Sequence, residues 1–355
     1  MKSIEARSWA VLIAKYAVSL GLLSYLAWQA WTDDSLRDLQ FRTVNWGMLV
    51  GAFAVGLGAT AITFLRWQLL VRALGIPFSS RDALEIGFIG HLFTFFTVGV
   101  VGGDAVRAYY IARHRPDRRA EAIATVILDR AIGLLALFYV AAFGYFYLRV
   151  TQFDRLGRSV FQPLHAIGAV SCVVCVVATI VIAATMATPL LAHPALDRLG
   201  RIPFVGRTAL DLLAALRTYR AMPLVAFAAS FLSVLTNLGA AVAIWGTAVG
   251  LGGDHPTLAE HLVAVPVAML ATIVPLPAGL GAFEVALAYL YQVFGEPNVV
   301  THEGILVAFA YRLMTVLYAV LGAYFFLTRR RQVVTMLAEA KHRRDHYVPA
   351  TAKSN

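Results

Sequence analysis

Six charged residues stand inside or beside long apolar runs: Asp104, Arg107, Asp129, Arg130, Glu284 and Arg312. An ionised side chain in a lipid-like interior costs roughly 2.5 kcal/mol or more, so each is a functional candidate by default. Asp104 and Arg107 lie about one helical turn apart, on one face. Arginine carries a planar fork that suits bidentate binding of a phosphate or a carboxylate. Asp104 follows Gly102 and Gly103 and opens a helix, so its plain structural role is an N-cap. Asp129 and Arg130 are adjacent, about 100° apart around a helix, and each is expected to find its own partner elsewhere. For these two and for Arg312, a purely structural ion pair between helices competes with a functional role. Arg66, near a span end, reads as a snorkelling side chain. His91 reads as packed and hydrogen-bonded. Cys172 and Cys175 form a lone CxxC within an apolar run and read as helix packing. No residue is assigned a catalytic or metal-binding role, and no cofactor is expected.

The surroundings give those charges their meaning. Apolar residues make up 59% of the 355 and charged residues 14%, against about 25% charged in soluble domains. Mean hydropathy is +0.71. Several runs reach the roughly 20 residues that cross a bilayer. Full spans are predicted at 9–31, 46–70, 121–148, 163–187, 222–250 and 303–327. The first follows Lys2 and Arg7 but is too long for a signal sequence and lacks a small-x-small cleavage site. It reads as a retained span ending in interfacial Trp28 and Trp31. The net charge of +10 sits in the loops, which points to cytoplasmic loop placement and away from nucleic acid. The expected partners are membrane lipids, with a homo-oligomer left open.

Two further apolar stretches, 83–118 and 258–295, are broken by glycine and proline. The first break contains Gly102 and Gly103. The second contains Pro275, Pro277, Gly279 and Gly281. The basic segments 1–7, 71–82, 107–119 and 198–220 and the tail from Arg329 fall on one side only if both broken stretches enter and leave by the same face. The expected fold is therefore an all-α polytopic membrane protein with about six full spans, two re-entrant helical hairpins and both termini cytoplasmic. Irregular backbone at that depth must lie within protein or beside a water-filled cavity.

The two halves, about 46–150 and 222–327, echo each other. Ala83-Leu84-Glu85 matches Leu258-Ala259-Glu260, and each break is followed by an acidic residue, Asp104 or Glu284. Glu121 stands nine residues before Arg130, and Glu303 nine before Arg312. The predicted topology runs the halves in opposite directions, and inverted repeats with broken helices are a transporter signature. Residues 1–330 are expected to form a single transmembrane domain, with an interfacial amphipathic helix at 205–220 and a basic cytoplasmic tail at 331–355.

The chain resembles the flippase-like family that includes the transmembrane region of lysylphosphatidylglycerol synthases, over about residues 10–330. The resemblance rests on Arg66-Trp67-Gln68-Leu69-Leu70, on Val101-Gly102-Gly103-Asp104-Ala105-Val106-Arg107 and on Leu128-Asp129-Arg130-Ala131-Ile132-Gly133-Leu134. It extends to Pro275-Leu276-Pro277-Ala278-Gly279-Leu280-Gly281-Ala282-Phe283-Glu284 and Tyr311-Arg312-Leu313. It implies a lipid-translocating role in the cell membrane, without the synthases' cytosolic aminoacyl-transfer domain. The competing functions are an intramembrane glycosyl or phosphoryl lipid transferase, an aspartyl protease and a small-solute or ion transporter. The protease signature Gly-x-Gly-Asp with Tyr-Asp is not met, since position 101 is valine and Leu128 precedes Asp129.

Overall fold

The computed structural model describes residues 43–96, 101–114, 119–151, 158–187, 219–273, 280–294 and 300–329, together with Gly21, Ser24, Tyr25 and Trp28. The remainder of the 9–31 span, most of the 205–220 helix, the tail beyond Arg329, and Pro275, Pro277 and Gly279 lie outside the described residues.

The described residues are helical, without strands. In chain order the helices are α1 (Trp46–Ala73), α2 (Ser80–Phe96), α3 (Val101–His114), α4 (Arg119–Thr151), α5 (Arg158–Ala187), α6 (Pro223–Leu251), α7 (Leu258–Leu270), α8 (Ala282–Phe294) and α9 (Val300–Thr328). Five of them, α1, α4, α5, α6 and α9, are long and apolar enough to cross a membrane. At 28 residues, α1 is about 42 Å long, ample for a hydrocarbon core of about 30 Å. By contrast α2, α3, α7 and α8 have 17, 14, 13 and 13 residues, or about 20–25 Å each. None of these four reaches across alone.

The short helices pair as antiparallel hairpins. Phe78, just before α2, has its ring 6.1 Å from that of Tyr110 near the end of α3. Farther in, a Cβ on Gly90 would lie 2.9 Å from the Gly103 carbonyl, so these glycines let the two backbones touch. In the second hairpin, His261 early in α7 shares a 2.7 Å hydrogen bond with Tyr291 late in α8. Each hairpin therefore begins and ends at one level.

The hairpins open toward opposite ends of the bundle. The core pair α1 and α6 is antiparallel: Asn45 N–H donates to the Gly250 carbonyl at 2.9 Å at one end, and Arg66 reaches Ser233 at 2.6 Å toward the other. The first hairpin follows the end of α1, and the second follows the end of α6. Long helices then cross between halves. Gly322 of α9 packs on the Phe88 backbone of α2, and Gly144 of α4 packs on Leu262 and Val263 of α7. Each half's long helix thus holds the other half's hairpin.

Local sequence explains the hairpin starts. Thr257 and Glu260 form a capping box at α7, with Glu260 accepting from the Thr257 N–H at 2.5 Å. Ser79 and Asp82 do the same work at α2: the Asp82 N–H donates to Ser79 Oγ at 3.0 Å, and Ser79 Oγ–H donates back to the carboxylate at 2.5 Å. The structural counterpart of Glu260 is therefore Asp82, one turn earlier than the sequence match to Glu85. Outward faces are apolar, as lipid contact requires. On α5, Val170, Val173, Val176, Val177 and Ile180 are all exposed.

Candidate functional site

The polar residues of the first half converge where α1, the first hairpin and α4 meet. Arg66 on α1 donates from Nε to Asp129 Oδ1 at 2.8 Å and from Nη2 to the Asp129 carbonyl at 3.2 Å. Its Nη1 donates to Ser233 Oγ of α6 at 2.6 Å. The snorkelling expectation is thereby overturned: Arg66 is buried, because Asp129 and Ser233 satisfy its fork inside the bundle. Gly133, one turn after Asp129, makes room, since a Cβ there would lie 3.4 Å from Arg66 Nη2. That glycine was a signal for the pairing which the sequence reading did not use.

Arg130 faces another way from the same helix. It grips Asp104 with two parallel bonds, from Nε at 2.8 Å and from Nη2 at 2.7 Å. Asp104 is not the N-cap expected for it: it falls three residues inside α3, and its carboxylate reaches across to α4. Arg107, one turn on, is 3% exposed and lies 3.7 Å from both Asp104 and Asp129. Its guanidinium stacks over the Phe64 ring at 4.9 Å and near the Trp67 ring at 5.0 Å. Nη1 and Nη2 of Arg107 and Oδ2 of Asp129 are buried without a hydrogen-bond partner among the described residues.

A cavity of about 200 Å³ opens beside these charges, lined by Thr60, Thr63, Phe64, Gly87, Gly90, His91, Thr94, Gly103, Asp104, Arg107 and Arg130. Sequence reasoning missed the threonines, whose hydroxyls in apolar runs were the available signal. His91 is hydrogen-bonded, its Nε2 lying 3.2 Å from the Thr315 carbonyl of α9. It also stands on the cavity wall, joining the first hairpin to the second half.

The second half repeats one of these pairs. Arg312 of α9 donates from Nε to Glu284 of α8 at 2.6 Å, and Glu284 also accepts from the Gly281 N–H at 2.8 Å. Gly281 has φ +87°, a left-handed conformation natural to glycine, which turns the chain into α8. Asp104 with Arg130 and Glu284 with Arg312 are equivalent pairs in the two halves. The likeness stops there. Leu287 holds the position after Glu284 that Arg107 holds after Asp104, and Tyr311 precedes Arg312 where Asp129 precedes Arg130.

At the bundle end where the first hairpin opens, Arg329 ties α9 to α2. It pairs with Asp82 at 2.8 Å and with Glu85. Burial pushes the Asp82 carboxyl up, but the Ser79 hydroxyl and the Arg329 charge outweigh it and hold it below the ordinary value.

Chemically, the site is a set of paired charges around one buried guanidinium. Asp104 and Asp129 are each engaged by their own arginine, and Arg107 stands near both. Among the described residues, no group of three or more His, Cys, Asp or Glu side chains gathers as a metal site.

Residues 12–322 match the family model described as the lysylphosphatidylglycerol synthase TM region. A UPF0104 membrane protein of Methanocaldococcus jannaschii is 23% identical over 157 residues, covering 44% of this chain and 45% of that relative. The match thus spans less than half of either protein's length.

Proposed function

This chain belongs to the lysylphosphatidylglycerol synthase transmembrane-region family, a family of multi-pass membrane proteins, and from that premise we propose that it is a lipid flippase-like protein rather than an enzyme. It moves a lipid with a polar or charged head group across the cell membrane, while the acyl tails remain in the bilayer. The observation that carries this reading is the charge-lined cavity between the first helical hairpin and the long helices α1 and α4, with His91 on its wall bonded to α9 of the other half. Such a cavity gives a head group somewhere to sit partway across a layer that otherwise rejects it. Two hairpins opening toward opposite ends supply the two-fold arrangement on which alternating exposure depends.

Orientation belongs to the same proposal. Arg72, Arg81, Arg113 and Arg329 gather at the end where the first hairpin opens, and that end is assigned to the cytoplasm. Reconstitution in liposomes with a fluorescent phospholipid is the test. Expected is dye-lipid movement well above protein-free liposomes, falling at least fivefold in Asp104→Ala and unchanged in Arg149→Gln. Movement no faster than in empty liposomes, across anionic and zwitterionic probes alike, would overturn the reading.

A further inference from the structure

We propose that Arg329 is an ionic latch at the end of the molecule assigned to the cytoplasm. It clasps the first hairpin to α9 of the other half, and its release lets the cavity widen toward that end. The inference names a control on the cavity and rests on the translocation reading for what that control serves.

The two sides of α2 come first. Asp82, Glu85, Phe88 and Leu92 of that helix meet α9 or Arg329 at its end. Gly87, Gly90, His91 and Thr94 line the cavity. At about 100° per residue, the two sets are centred roughly 160° apart around the helix axis. The helix is therefore a partition, with the cavity on one side and α9 on the other. His91 touches both, through the Thr315 carbonyl.

The volume of the cavity says that the partition must move. It holds about 200 Å³, below the roughly 300–1,000 Å³ of ordinary ligand pockets. Widening it shifts α2, and a shift slides α2 along α9. Most of that seam tolerates sliding. Gly322 presents no side chain to the Phe88 carbonyl, and the ring centres of Phe88 with Phe325 and of Phe93 with Phe326 lie 6.1 and 5.9 Å apart. Apolar contact is non-directional and sets no register of its own. An ion pair with fixed hydrogen-bonding geometry does.

Arg329 supplies that register. Its N–H donates to the Phe325 carbonyl at 3.1 Å, which fixes where the side chain starts. The guanidinium reaches Asp82 at 2.8 Å and also Glu85. Arg81 holds the other Glu85 oxygen at 2.7 Å from within α2. Two arginines thus meet two carboxylates, and Arg329 is the one that crosses between halves. Glu85 is buried, so removing Arg329 strips a shielded carboxylate of its partner across the seam.

The opposite end is built differently. Aligning Tyr145-Phe146-Tyr147-Leu148 of α4 with Tyr324-Phe325-Phe326-Leu327 of α9 puts Val150 at the position of Arg329. Val150 is exposed, and Glu260 at the start of α7 folds its carboxylate back on Thr257. A valine makes no ionic clasp, so the latch biases one end of the molecule shut and not the other.

The experiment reads cavity exposure in the full-length protein with Cys172 and Cys175 replaced by serine. Thr63→Cys, on the cavity wall, is labelled with an impermeant maleimide in inside-out vesicles, which present the cytoplasmic end. Adding Arg329→Gln should raise the labelling rate at least fivefold. Arg329→Lys keeps the charge and should stay within twofold of the parent. So should Arg81→Gln, which takes an equal charge from the same carboxylate without crossing the seam. Arg329 and Asp82 are partly exposed, so raising salt from about 0.05 M to about 0.5 M should speed labelling of the parent and leave Arg329→Gln unchanged. If Arg329→Gln does not fold, Asp82→Asn takes its place, with labelling at least twofold faster expected. Ala241→Cys, buried in the other half, controls for general loosening and should stay unreactive throughout. A labelling rate at Thr63→Cys indifferent to Arg329→Gln overturns the latch, as does equal acceleration at Ala241→Cys. Faster labelling with no dye-lipid movement in any variant sinks translocation and leaves the latch standing. Dye-lipid movement with labelling indifferent to Arg329→Gln sinks the latch alone.

Discussion

Arg66 donates to the Asp129 carboxylate at 2.8 Å across 63 residues of sequence, with both side chains shielded from solvent. The same arginine reaches Ser233, so one guanidinium joins α1, α4 and α6. Arg66 is thereby occupied, which separates it from its neighbour Arg107. The two arginines look alike in the sequence and differ in what they have left to offer.

That staple predicts an asymmetric stability response. Arg66→Gln and Asp129→Asn should each destabilise the protein by about 3–5 kcal/mol, because each leaves a buried charge unpaired. The double variant should lose clearly less than the two added together. Thermal unfolding in detergent measures this, and simple additivity would show that the pair is not a unit.

The hairpins make a labelling prediction. In a variant with Cys172 and Cys175 replaced by serine, Arg81→Cys and Arg113→Cys should react with an impermeant maleimide from the same face, and Asp254→Cys from the opposite one. Those positions sit at the start of α2, the end of α3 and the link after α6. Reaction of Arg81→Cys and Arg113→Cys from opposite faces would mean that the first hairpin crosses the membrane, which removes the inverted arrangement.

Crossing between halves can be tested at its two glycines. A Cβ on Gly144 would lie 2.9 Å from the Leu262 Cβ, and one on Gly322 would press on the Phe88 carbonyl. Gly144→Leu and Gly322→Leu should each cost about 1–3 kcal/mol by overpacking. Gly51→Leu should stay within about 0.5 kcal/mol, since no atom lies within 4 Å of its Cβ position. Comparable unfolding temperatures for all three would mean that these helix contacts do not hold the halves together.

Much of the architecture was legible because hydropathy and helix breakers act locally. The runs at 46–70, 121–148, 163–187, 222–250 and 303–327 correspond to α1, α4, α5, α6 and α9, and the two broken stretches correspond to pairs of short helices. The likeness of the halves was legible as well, in the placing of Asp104 and Arg130 against Glu284 and Arg312, and each of these pairs forms an ion pair. Its register at the hairpin starts was not. The Ser79 hydroxyl accepts from the Asp82 N–H at α2 as the Thr257 hydroxyl accepts from the Glu260 N–H at α7, so Asp82, not Glu85, holds the position of Glu260.

By itself, then, the sequence determined the membrane class, the long and the broken helices, the near-symmetry of the halves and the six charges that demand an explanation. A run of apolar residues or a Gly-Pro break means the same wherever it is packed. Only the tertiary structure decided the partners. Asp129 and Arg130 leave α4 about 100° apart and so meet different helices, and the rotation of each helix sets which charge each one finds. That rotation buried Arg66 against Asp129 and locked Arg130 onto Asp104. It left Arg107 stacked against two aromatic rings, with both terminal nitrogens buried and without a hydrogen-bond partner among the described residues.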